Sequence, residues 1–234
     1  MKKYLLFNLL LLPFSLNGQN SFMALSFGGN IPLQDFAKDT RLTHHGFALS
    51  GFTGDYSGAF FLKKNIGLSG NIRYASNSVN ENAILDLLAE GFPSDFPLSD
   101  EPSYITGFWK YVSVLTGPEY TFTSKRINFD LYTQVGLNFV LPIQMSTYAA
   151  NFDDYYDRRL DIRTVNLAIE AGCALRYHLN AYSSVRIHLG WFLSKCKGEI
   201  TEVMEVQGTR TSDNIEYSCL INSVNAGIGI AYRL

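Results

Sequence analysis

The sequence predicts an all-β protein: an eight-stranded, antiparallel, up-and-down transmembrane β-barrel with short turns at one end and long loops at the other. Three observations predict it. Successive segments alternate apolar and polar side chains with the period of a strand. The polar face of that alternation carries charges that a soluble core does not tolerate. The connections between segments alternate short and long.

Residues 166–179, NLAIEAGCALRYHL, show the first observation most plainly. Leu167, Ile169, Ala171, Cys173, Leu175, Tyr177 and Leu179 share one face, and Asn166, Glu170, Arg176 and His178 share the other. Segments 127–141, 184–193 and 221–234 repeat the pattern, as does IGLSGNIRY at 66–74. Segments 22–31, 47–62 and 107–123 alternate more weakly, and the turn spacing supplies a strand in each. Short connections fall at 63–65, 124–125 and 181–183. Long ones cover roughly 32–45, 79–105, 142–161 and 197–214.

The second observation decides between two barrels. A soluble barrel with a ligand cavity needs an apolar interior. Here the less greasy face carries Asp55, Arg73, Glu119, Asp130, Glu170, Arg176, Arg186 and Arg233. That is a lumen, with the apolar face in lipid. Bilayer interiors leave no water for open strand edges, so the strands must close on themselves. Tyr120, Phe122, Phe129, Tyr177 and Tyr232 near the short turns, and Phe139, Trp191 and Tyr74 near the long loops, suit two interfacial girdles.

The chain has 234 residues, 47% of them apolar and 17% charged, with a net charge of −2. No basic footprint suggests nucleic acid. Lys2 and Lys3, an apolar run from Tyr4 to Leu16, and small or polar residues after it have the layout of a secretory signal peptide, residues 1–18. Cleavage then leaves Gln19 first and a barrel domain over 19–234.

These features resemble the small outer-membrane β-barrel domains of Bacteroidota, with the eight-stranded architecture of the OmpA/OmpX type. The carriers are Gly18–Gln19, GGNIPLQDFA at 28–37, GPEYTF at 117–122 and the last strand, NAGIGIAYRL. The resemblance implies a cell outer-membrane location. It also implies contact with outer-membrane lipid and recognition of the C-terminal strand by the barrel-assembly machinery. Ending in Leu234 rather than Phe departs from the usual last residue. The resemblance brings no catalytic set.

Residue spacing also predicts cross-strand partners. A three-residue turn at 63–65 sets Asp55 opposite Arg73. A two-residue turn at 124–125 sets Glu119 opposite Asp130. A three-residue turn at 181–183 sets Arg176 opposite His188 and His178 opposite Arg186. These charges should plug the lumen. A turn at Gln207–Gly208 sets Cys196 opposite Cys219, where a disulfide and two small buried thiols are both open readings. Cys173 should be a free thiol on the lipid face.

Catalytic, cofactor and metal sets are not found. His44 and His45 lack further ligands at metal-binding spacing. Asp153, Asp154 and Asp157, with Tyr155 and Tyr156, match no calcium loop and suit a polar surface loop. Ile84, Leu87 and Leu88 at helical spacing before Gly91 suggest a short helix over the barrel mouth. A barrel that presents loops in a structural, adhesive or partner-binding role is therefore the leading reading. A small-solute channel is the alternative, and an outer-membrane enzyme comes third.

Overall fold

In a computed structural model, residues 21–39, 45–84, 108–141, 143–151, 154–162, 164–206 and 209–234 are described. The proposed signal segment, His44, Leu87, Leu88, Gly91, Asp153 and the Gln207–Gly208 turn lie outside them. The strands are β1 (Phe22–Pro32), β2 (Ala48–Phe61), β3 (Ile66–Val79), β4 (Phe108–Ser124), β5 (Ile127–Val140), β6 (Ile143–Asn151), β7 (Asp154–Ile162), β8 (Val165–His178), β9 (Ser183–Val206) and β10 (Thr209–Arg233).

Eight of them close a ring in the order β10, β1, β2, β3, β4, β5, β8, β9, with β9 pairing back to β10 and all neighbours antiparallel. The exterior is the greasy face of the sequence pattern. Leu25, Phe27, Ile72, Val135, Leu167, Ile187 and Ile230 are all exposed there. Tyr120, Phe122 and Phe129 form a contiguous aromatic run near the short-turn end, and Tyr232 stacks on Tyr182. Among the described residues, no helix is long and apolar enough to cross a membrane.

The region 142–161 is not a plain loop. It contains the hairpin β6–β7, and β7 pairs with the upper part of β9 from Tyr155↔Glu205 to Asp161↔Glu199. The long connection at 197–214, whose sequence keeps strand-like character on both sides of Gln207–Gly208, is mostly strand, with β9 and β10 paired up to Val206↔Thr209. Tall β9 and β10 offer unpaired backbone above the barrel rim, and β7 satisfies the free side of β9. The alternation of Ile143 and Met145 with Gln144 and Ser146 was the available signal.

Two short turns sit one residue away from their predicted places. The β4–β5 turn is Lys125–Arg126, so Glu119 faces Tyr132 and Thr121 faces Asp130. Lys125 takes the positive φ of 39° that a tight hairpin demands. The β8–β9 turn is centred one residue earlier than 181–183. Asn180 Oδ1 accepts hydrogen bonds from the backbone of Tyr182 (2.9 Å) and Ser183 (2.8 Å), and Leu179 N–H donates to Ser183 O. His178 therefore faces Ser184, Arg176 faces Arg186, and His188 faces Ala174. Each change moves partners by two residues, which preserves which face points inward.

Candidate functional site

The lumen is built in layers, because inward positions of all eight ring strands converge on a space only as wide as their side chains. At the short-turn end, Phe22, Ala24, Ala59, Phe61 and Ala231 form an apolar floor. The Arg176 guanidinium lies over the Phe22 ring at 3.8 Å. Arg176 also donates two hydrogen bonds to Asp130, from Nε at 2.7 Å and Nη2 at 2.8 Å. Thr121, opposite Asp130, donates to the same carboxylate.

The middle layer is a charge network across the lumen. Arg73 Nε donates to Asp55 Oδ1 at 2.6 Å, within the directly opposed β2–β3 pair. Its Nη1 and Nη2 reach three strands round the ring to Glu170, at 2.7 and 3.0 Å. Arg73 thus spans two carboxylates, and all three side chains are fully buried. Tyr132 donates to Glu170 at 3.2 Å, Asn71 donates to Asp55, and His188 Nε2 lies 3.6 Å from Asp55 Oδ2. A guanidinium suits this position because its planar fork can hold carboxylates on two sides at once.

The remaining predicted lumen residues are distributed differently from the single cluster of the sequence reading. Glu119 and Arg186 line one small void together with Phe22, Tyr132 and Gln134. His178 sits near the rim, its Nδ1 2.8 Å from Ser184 Oγ. His188 belongs to the Asp55 network rather than facing Arg176. Glu170 is the partner that spacing did not identify. The alternation places it on the inward face, but cross-strand register links only adjacent strands, and this contact runs from β8 to β3.

Above the charges, Asn30 donates to Asn77 (2.7 Å) and Tyr111 (2.8 Å), and Tyr111 stacks on Phe192 with ring centroids 5.5 Å apart. The outer end is apolar. The short 3-10 turn at Gln34–Phe36 places Phe36 edge-on to Trp109 at 5.3 Å, with both rings buried. Trp109 Nε1 donates to Gly46 O at 2.6 Å. Phe47, Ile84, Val140, Ile200, Tyr217 and Ile221 complete this cap. Residues 81–84 are helical, and Ile84 is the part of the predicted helix seen to pack down.

Two voids in the charged half have about 10 Å³ each, room for about one water apiece. Among the described residues no group of three or more His, Cys, Asp or Glu could hold a metal. His45 is buried, and its carbonyl accepts from Tyr217 at 3.0 Å. The side chains of Asp154, Tyr155, Tyr156 and Asp157 lie outside the described residues, though their backbone forms β7.

Cys196 and Cys219 are directly opposed and carry free thiols. The pair is of the hydrogen-bonded kind. Leu33 N–H donates to Asn222 O and Arg233 N–H to Tyr182 O, so even residues of β10 aim backbone groups at β1 and odd ones at β9. Cβ atoms in such a pair sit toward ~5.5 Å apart. A disulfide needs about 3.5–4.5 Å. Both thiols lie above the outer aromatic level, and burial pushes each up to about 12. Unfolding the protein without reductant is expected to expose three titratable thiols. A count of one would place a bond between Cys196 and Cys219.

No family model matches the chain, and no curated protein matches it. Its fold does match solved structures. A major outer membrane protein from Thermus thermophilus superposes with a TM-score of 0.51 at 11% identity, covering 93% of this chain and 100% of that one. The chain has the fold of an outer-membrane β-barrel. Ail, the attachment invasion locus protein of Yersinia pestis, is also similar, with a TM-score of 0.38, 12% identity, and coverage of 92% and 100%. So is outer membrane protein AlkL, with a TM-score of 0.39, 16% identity, and coverage of 94% and 93%.

Proposed function

We propose that the barrel is a closed membrane anchor that presents an outer β-sheet for adhesion or partner binding, without catalysing a reaction. The observation that carries this reading is the contrast between its two ends. The lumen is crossed by Arg73 and capped by Phe36 and Trp109. Above it, β10, β9, β7 and β6 continue as one sheet. Among the described residues, β6 pairs only with β7, and β10 pairs only with β9 before Asn222. Residues 209–214 are exposed along that edge. Such edges pair readily with another chain.

The same reading includes export through residues 1–18 and release before Gln19. It also includes recognition of the strand ending at Leu234 by the barrel-assembly machinery, and an origin among the Bacteroidota barrels resembled by the segments quoted above. Conductance tests it. The wild-type barrel in a planar bilayer is expected to pass no steady current. Cells displaying it should adhere or aggregate more than cells displaying a variant with residues 143–162 replaced by a short turn. Steady single-channel conductance in the wild type would favour the small-solute channel instead.

A further inference from the structure

The lipid-facing wall is not uniformly ridged. Outward rows of side chains run round the barrel, and one row is interrupted where Gly58 pairs with Gly70. Tyr56 and Ile72 stand on one side of the gap, and Phe60 and Leu68 on the other. The result is an open, largely apolar depression of about 320 Å³. It is far larger than either void in the lumen and comparable with the lower end of small-ligand sites.

Its height limits what can fill it. Gly70 lies four residues beyond Ile66, the first residue of β3 after the short turn. At ~3.3 Å per residue and a tilt of ~40°, that is about 10 Å above the turn. The apolar band of such a barrel is ~25 Å tall, so the depression opens into the leaflet on the short-turn, periplasmic side. The hairpin that floors it ends in exposed Lys63 and Lys64. An ammonium placed below an apolar groove matches a phosphate headgroup below an acyl chain.

We propose that this groove is a binding site for one glycerophospholipid of the periplasmic leaflet. An acyl chain lies over Gly58 and Gly70, and the headgroup phosphate meets Lys63. The glycines make the site, because side chains there would fill it. They are not equivalent as test positions. A Cβ at Gly58 would meet Phe22 O at 2.8 Å, whereas one at Gly70 finds its nearest neighbour, Leu115 O, at 3.6 Å. Gly70→Leu therefore fills the groove without straining the wall. Ala226→Leu places the same side chain at an exposed outward position on another part of the barrel.

The full barrel, exchanged into nanodiscs of phosphatidylethanolamine and phosphatidylglycerol and released into mild detergent, is read by native mass spectrometry. The wild type and Ala226→Leu should each retain one phospholipid. Gly70→Leu should lower the bound-to-free ratio about tenfold, while still showing the heat-modifiable migration of a folded barrel. Lys63→Gln should lower phospholipid retention and leave retention of an uncharged diacylglycerol unchanged. Equal retention by wild type and Gly70→Leu would overturn the site. Indifference of phospholipid retention to Lys63→Gln would overturn the choice of a phospholipid over a simple hydrocarbon chain.

Discussion

Replacing Arg73 by alanine is expected to destabilise the barrel by about 3–5 kcal/mol. The change strands two buried carboxylates, since Asp55 and Glu170 share that single guanidinium. Nearby groups compensate only in part. Tyr132 donates to Glu170 and Asn71 donates to Asp55 without a positive charge, and His188, 3.6 Å from Asp55, reaches only one of the two carboxylates. Urea unfolding from detergent micelles, followed by the loss of heat-modifiable migration, measures the effect. Glu170→Gln should cost less, because Arg73 keeps Asp55 and the amide keeps an acceptor. Replacing all three by apolar residues of similar size should recover much of the loss, because removing one member of a buried ion network is more costly than lacking the network. An unchanged unfolding midpoint for Arg73→Ala would mean that the network contributes nothing to holding β3 against β8.

Trp109→Ala is expected to cost about 3–5 kcal/mol as well, for a different reason. The indole is buried, meets Phe36 edge-on at 5.3 Å, and donates to Gly46 O at 2.6 Å. Removing it leaves a cavity under the loop that follows β1. The loop should then become open to attack, so limited proteolysis of intact cells should cut within 33–39 or 45–47 in the variant and not in the wild type. Trp109→Phe keeps the aromatic contact and loses only the hydrogen bond, at about 1 kcal/mol. If both variants resist the protease equally, the outer cap does not hold the loop.

The barrel itself was legible because lipid imposes a strict rule. Every ring strand must show apolar side chains outward and satisfy its backbone through neighbours, so period two persists through β5, β8, β9 and β10. Face assignment followed for Asp55, Arg73, Glu119, Asp130, Arg176, Arg186 and His188, all of which are buried in the lumen. Partner assignment was less secure. At 63–65 the turn position was evident, and Asp55 faces Arg73. At the other two short turns, Lys125 at positive φ and the Asn180 side-chain turn moved the register by two residues. Neither change altered the alternation, so periodicity gave no warning of either.

The sequence by itself determined the barrel, its membrane-facing surface and which charges point inward, because those depend on patterns carried along single strands. Only the tertiary structure decided that Glu170 joins Arg73, that Phe36 folds onto Trp109, and that β7 extends the sheet beside β9. Each of those contacts crosses the lumen or joins distant segments. They depend on ring closure and on the paths of the long connections, which strand-by-strand patterns do not encode. The groove over Gly58 and Gly70 is of the same kind, since two ordinary glycines become a site only when strand pairing sets them side by side.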